Sequence, residues 1–310
     1  MINALRCIVA LFVISAAGCT DVEQRADPGF HPAVSKPRFP AESGPIVLID
    51  EAHFNFHTAT RRYLPFAELL RGDGYVVRSS KASFSEEALH QGAILVIANS
   101  LNRENRDDWS LPNPSAFTDE EIAAVRGWVQ HGGSLLLIAD HQPFPGAASK
   151  LASAFGVHYI NGYVKDDRSP DGTLLFRRVD GSLADHAITR GCSANEAVDI
   201  VATFTGSAFL IDHASDPLFI LGAHTISTTR TGSRLGAPRP ASVKGWYQAA
   251  VFQFGRGRVA VFGEAGMFTA QLKRGGSEEM GMNAPIAKQN PQFILNLLHW
   301  LSGECDLHSH

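Results

Sequence analysis

The order in which this sequence spends its apolar residues limits its fold more than anything else in it. Short apolar runs lie at IVLID (46–50), YVVRS (75–79), AILVIAN (93–99) and SLLLIAD (134–140). Helix-like stretches separate them. PFAELLRGDG (65–74) opens on Pro65 and closes near Gly72, and SEEALHQG is a short one. FTDEEIAAVRGWVQHGG sets Thr118 three residues before Glu121, a capping-box pattern, and stops at Gly132-Gly133. GAASKLASAFG follows the fourth run. Strands that are apolar throughout need cover on both faces, which is the situation of a parallel sheet between helices. The expected class is α/β, doubly wound and mainly parallel.

The second half is less regular. Short strands are expected within AVDIVATF (197–204), AFLID (208–212) and LFILGAH (218–224), and a buried strand in GRGRVAVFG (255–263). The polar stretch 225–245 reads as a long flexible loop. NPQFILNLLHWLSG is a final helix with Asn290 as N-cap, Pro291 at its first position and Gly303 at its end. Phe293, Leu297, Trp300 and Leu301 line one face of it. No repeat interrupts 44–303, so one domain is expected there, with 304–310 as a tail.

A net charge of −4 with no basic block excludes nucleic acid as an expected partner. After residue 20 no run is apolar for long enough to span a bilayer. The first residues differ: Arg6 precedes an apolar run from Cys7 to Ala17 and then small residues, the layout of a secretory signal. Its end, SAAGC, resembles a bacterial lipobox, with Ala16 where leucine is usual. That resemblance implies a signal over 1–19, a lipid on Cys19, and membrane attachment through it. Thr20 after the cysteine points to the outer membrane, facing the periplasm. Residues 20–43, rich in proline and polar groups, read as a tether. Of the remaining cysteines, Cys192 and Cys305 could be bridged or free, and no C-x-x-C spacing exists.

Three segments carry a wider likeness: GGSLLLIADHQPFPGAASKLASAFG, LADHAITRG and FGRGRVAVFGEAGMF. They resemble the class I glutamine amidotransferase-like superfamily, and within it trehalose-utilisation-type proteins and uncharacterised bacterial lipoproteins. The resemblance implies a flavodoxin-like sheet. It also exposes a departure, because the turn where that superfamily carries its nucleophilic cysteine reads Asp140-His141-Gln142-Pro143 here. Without a thiol or a G-x-S-x-G elbow, glutaminase chemistry is not expected.

Ligands of open α/β sheets gather beyond the carboxyl ends of the strands. Here the loops leaving those ends are polar, whereas the opposite turns (RGDG, HQGA, HGGS) are short and glycine-rich. The first loop offers Asp50, Glu51, His53 and His57, and the fourth Asp140 and His141. Glu264 follows the late strand, and Asn283 and Gln289 precede the last helix. Glu51, Asp140, His141 and Glu264 are the candidate catalytic groups, by general acid–base action. Asp50, His53, His57, Asn283 and Gln289 are candidate ligand-binding groups for a small polar substrate. A carbohydrate would fit the family resemblance. The same Asp, Glu and His mixture would suit zinc or another divalent ion, although no H-E-x-x-H-type spacing occurs, and no cofactor is named by the sequence. A non-catalytic binding module that kept the fold and lost the nucleophile is the alternative to a hydrolase or lyase.

Overall fold

The computed structural model describes residues 24–169, 172–230, 240–273 and 276–304. The four apolar runs become strands β1 (Ile46–Asp50), β2 (Val76–Ser80), β3 (Ile94–Ala98) and β4 (Ser134–Ile138). Later strands of the same sheet are β5 (Val157–Ile160), β6 (Ala208–Ile211), β7 (Asp216–Ile220), β8 (Tyr247–Phe254) and β9 (Gly257–Phe262). Their spatial order is β2-β1-β3-β4-β9-β8-β6-β5, with β7 also paired to β8. The first five run parallel, while β8, β6, β5 and β7 join antiparallel.

The expected flavodoxin-like, doubly wound, mainly parallel sheet is therefore overturned: the sheet is mixed. A parallel return needs a crossover of a dozen or more residues, usually a helix. Helices α1 (Leu64–Gly72), α2 (Glu86–Leu89) and α3 (Asp119–Gln130) supply such crossovers in the first half, whereas α4 (Phe144–Ser153) leads into β5, which runs opposite to β4. Among the described residues between β5 and β8 the only α-helix is α5 (Ala187–Arg190), a single turn. Strands there turn straight back, as β8 and β9 do across Gly255-Arg256. The excess strand forms small antiparallel sheets, pairing Thr173–Arg177 with Ile200–Phe204 and Tyr163–Asp166 with Thr225–Thr228. The stretch read as a loop from 225 thus contains a strand, which also pairs with Ala241–Ser242.

The core divides across the sheet. Val47 and Ile49 of β1 join one cluster with α1 and the last helix, α6 (Asn290–Leu301), while Leu48 joins the other with α3 and α4. That alternation follows the two-residue period of a strand buried on both faces. The capping box on α3 forms as the sequence predicts, with Thr118 Oγ1 accepting from Glu121 N–H and Glu121 accepting from Thr118 N–H. Asn290 does not cap α6. Its side chain instead clamps the backbone of Ala202, accepting from N–H at 3.1 Å and donating to the carbonyl at 2.8 Å.

Residues 24–43 lie along the domain. Arg25–Ala26 forms an edge strand on Ala270–Lys273, which pairs on its other side with Glu278–Gly281. Phe30, Val34 and Phe39 pack against the core. Residues 1–19 with Cys19, and the tail from 305, lie outside the described residues. Cys192 is in a disulfide, so its thiol is not free. No helix among the described residues is long and apolar enough to cross a membrane.

Candidate functional site

Register decides where the two key carboxylates go. β4 and β9 are parallel neighbours in which Ile138 stands opposite Phe262. Asp140 and Glu264 each lie two residues beyond that pair, so both chains deliver a carboxylate at the same height on the sheet edge. On the other side of β4, Ala98 pairs with Ile138, and Asn99 follows it in the left-handed region (φ 50°). Asparagine tolerates that conformation better than most residues. Its Oδ1 accepts the Asp140 N–H at 2.9 Å, fixing the turn that carries the acid.

Both carboxyls are buried and share one electrostatic problem. Burial, then the neighbouring Asp140 charge, pushes Glu264 up to about 8. N–H groups of Gly266 and Met267, donating to its two oxygens at 2.7 and 2.8 Å, only partly oppose this. Burial raises Asp140 as well, with His141 and the backbone N–H groups of His141 and Ala265 pulling it back. Two adjacent buried carboxyls cannot both ionise cheaply, so at neutral pH the pair keeps a proton, held on Glu264. The glycine at 266 leaves room for this carboxyl. A Cβ on it would stand 2.6 Å from Glu264 Oε1.

His141 lies beside them. Its Nδ1 is 2.8 Å from the Gln142 carbonyl, which can only accept, so Nδ1 carries the hydrogen and a neutral ring leaves Nε2 as a base. The ring stacks on Tyr163 at 4.4 Å, and the Arg230 guanidinium sits 4.5 Å from the Tyr163 centroid. Gln142 binds both backbone groups of Arg230, so this platform is tied on each side.

Asp140, His141 and Glu264 line a cleft of about 1150 Å³. His57 lines it too, stacked on Tyr63 at 4.6 Å. Burial, reinforced by Arg62, holds His57 well below the usual imidazole range, so it is neutral at pH 7. Its Nδ1 and the Oε1 of Gln271, another lining residue, are buried polar atoms without a partner. Tyr63 donates to the Ala265 carbonyl at 3.2 Å and so ties this wall to the strand end bearing Glu264.

The structure separates the other predicted residues from this group. Asp50 and His53 are structural. The His53 ring bridges Asp50 and Glu121, with Nδ1 and Nε2 each 2.9 Å from a carboxylate oxygen. Burial lowers its basicity, but Asp50 and then Glu121 more than restore it, and the net shift is upward. Both nitrogens can donate together only in the imidazolium form, which pins the first loop to the start of α3. Glu51 accepts from Ala59 N–H and Ser79 Oγ and is not among the residues of the cleft. Asn283 donates to Asp27 and to the Gln271 carbonyl, one step behind the wall. Gln289 accepts from the backbone of Asp199 and Ile200, away from the cleft.

Sequence reasoning passed over Asn99, Phe56, Trp109, Tyr163 and Gln271. Trp109 had a readable signal, as an isolated indole in a polar loop leaving a strand end. It packs edge-on against Phe56 and Phe144 at 5.5 and 5.2 Å and makes an apolar wall. Asn105 holds that loop by donating to the carbonyls of Asp108, Ser110 and Pro112. Gln271 ends the segment MFTAQ, seven residues after Glu264, but its neutral side chain gives no chemical signal of its own.

A divalent ion is poorly served. Among the described residues the only three His, Cys, Asp or Glu groups with ligand atoms within 4.8 Å of one another are Cys192, Glu196 and His299. A disulfide sulfur is not a thiolate ligand, so that set does not fit a metal either.

Fold and site together define an α/β protein with a mixed sheet and a buried carboxyl pair at its parallel strand ends. No protein-family model matches the chain, and neither does any curated protein. Among solved structures it is similar to the mmIFT52 N-terminal domain, at 14% identity and a TM-score of 0.56, over 83% of this chain and 97% of that one. It is also similar to a thua-like protein from Bacteroides uniformis, at 13% identity and a TM-score of 0.45, over 87% and 94%. A cytoplasmic protein from Salmonella typhimurium matches at 13% and 0.48, over 83% and 98%. At such identities the first of these shows a shared fold and nothing of activity.

Proposed function

We propose that this protein is a non-amidotransferase hydrolase or lyase acting on a small polar substrate by general acid–base catalysis, tethered to the bacterial envelope by a lipid on Cys19. The observation that carries the catalytic reading is the pair Asp140 and Glu264, two buried carboxyls on adjacent parallel strand ends in one cleft with His141. Glu264, protonated at neutral pH, is the acid, and Asp140 stabilises charge beside it. His141 Nε2 is the proton acceptor. The described lining of the cleft contains no cysteine, which supports chemistry without a covalent thioester. The SAAGC end of the apolar leader supports the anchor.

The test is turnover of a panel of p-nitrophenyl glycosides and esters by wild type, Glu264→Gln and Asp140→Asn. Hydrolysis by wild type that both substitutions abolish, with folding intact, supports the reading. Turnover that survives both refutes it. Protection of the cleft by these compounds without any turnover instead assigns the non-catalytic binding module.

A further inference from the structure

We infer that the rim of the cleft is the membrane-facing surface of the protein, so that the site works on polar groups presented at the bilayer. This rests on the Cys19 anchor proposed above. Gln24 is itself a wall of the cleft, and its carbonyl accepts from Arg62 Nε at 3.1 Å. The next two residues are held in a sheet, Arg25 opposite Leu272 and Ala26 opposite Gln271. Phe30, Val34 and Phe39 then fasten the segment to the core. Whatever path residues 20–23 take, Cys19 is five residues from Gln24, a reach of at most about 18 Å for an extended chain. A domain of this length is about 45 Å across. An anchor with that reach cannot place the cleft on the far side of the domain from the lipid.

The rim has the chemistry of an interface. Of the six large apolar side chains that stand well exposed among the described residues, Phe54 (37%) and Ile286 (48%) both border this cleft. Its exposed charges are mixed, Arg61 and Arg106 against Asp107 and Glu279. The contact is therefore apolar, made by shallow insertion of Phe54 and Ile286, and does not depend on anionic lipid.

The experiment uses the mature, lipidated protein in phosphatidylcholine vesicles carrying a headgroup nitroxide. An environment-sensitive fluorophore is placed at Ile286→Cys or, in a second variant, at Val179→Cys. Val179 is fully exposed and lies beyond the far end of the strand Thr173–Arg177, whose first residue lines the cleft. The expected result is loss of most fluorescence at position 286 and little at 179. Mass spectrometry of the N-terminus is read on the same samples. Lipidated protein with equal quenching at both positions overturns the inference and leaves the anchor standing. Absence of lipid from Cys19 removes the anchor and this inference with it. Neither outcome bears on the acid–base chemistry, which the substitutions at Glu264 and Asp140 test separately.

Discussion

Replacing Glu264 by glutamine should reverse the sign of its effect on stability between acid and alkaline pH. The folded-state value of Glu264 is raised from its ordinary 4.5 to about 8. The native state therefore holds this proton more tightly than the unfolded chain does. The contribution is whole below about pH 4.5 and is lost as pH rises towards 8, beyond which the buried charge is a constant burden. At 1.36 kcal/mol per pH unit, that range amounts to about 5 kcal/mol. Glutamine never ionises and escapes it. Glutamine has a cost of its own, because Gly266 and Met267 donate to both carboxyl oxygens, and an amide offers only one oxygen. A backbone N–H left facing an NH₂ group costs about 1–3 kcal/mol at any pH. The variant should be less stable than wild type by up to about 2 kcal/mol at pH 5 and more stable by about 2–4 kcal/mol at pH 9. Urea unfolding followed by far-ultraviolet circular dichroism at both pH values measures the difference, in which titrating groups that do not interact with Glu264 cancel. An equal difference at pH 5 and pH 9 would refute a proton held on Glu264.

Three further substitutions probe the same architecture. Asp140→Asn removes the neighbouring charge, so the Glu264 carboxyl should titrate lower than in wild type; a carbon-13 carboxyl titration that does not move contradicts the coupling. Gly266→Ala brings a methyl group 2.6 Å from Glu264 Oε1, and should lower stability by about 1–3 kcal/mol through forced displacement, seen as an earlier thermal midpoint. His53→Gln leaves Asp50 and Glu121 without their shared cation and should cost about 3 kcal/mol at pH 5. Because His53 is raised, its contribution is full below about 6.5 and disappears as pH climbs through the raised folded value. The loss must therefore shrink by pH 9, and a constant loss would exclude an imidazolium at that position. Finally, Cys19→Ser should abolish incorporation of a fatty-acid probe, and equal labelling of both forms rejects the anchor.

What could be read from the sequence divides along a physical line. Local patterns were dependable: the Thr118 and Glu121 box, the uniformly apolar runs of β1, β3 and β4, and the polar loops at their carboxyl ends. Asp140 and Glu264 could be placed at strand ends because each follows a run that is apolar throughout; that their strands are parallel neighbours is a finding of the structure. Long-range pairing was not legible. Nothing in IVATF or LFIL states whether a neighbour runs parallel or antiparallel, and the shortage of helices between residues 157 and 247 was the one available warning. His53 shows the opposite failure. Its place in a polar loop suggested a ligand group, but Glu121, 68 residues away, turns it inward to hold a buried charge. Asn290 is similar: its position before Pro291 suggests an N-cap, but its side chain bonds the backbone of Ala202, 88 residues away, and does not cap the helix.

The short pairing of Arg25–Ala26 with Ala270–Lys273 has a consequence for how the molecule avoids its own kind. Ala270–Lys273 is satisfied on one side by Glu278–Gly281 and on the other only by this two-residue strand. A version beginning at residue 44, where the proline-rich composition ends, would bare a row of backbone donors and acceptors beside the apolar patches that Phe30, Val34 and Phe39 cover. Such an edge is a template for any extended segment, including the same strand of a second molecule. The leading segment therefore acts as a built-in stopper against strand exchange, and removing it should promote association edge to edge through Ala270–Lys273.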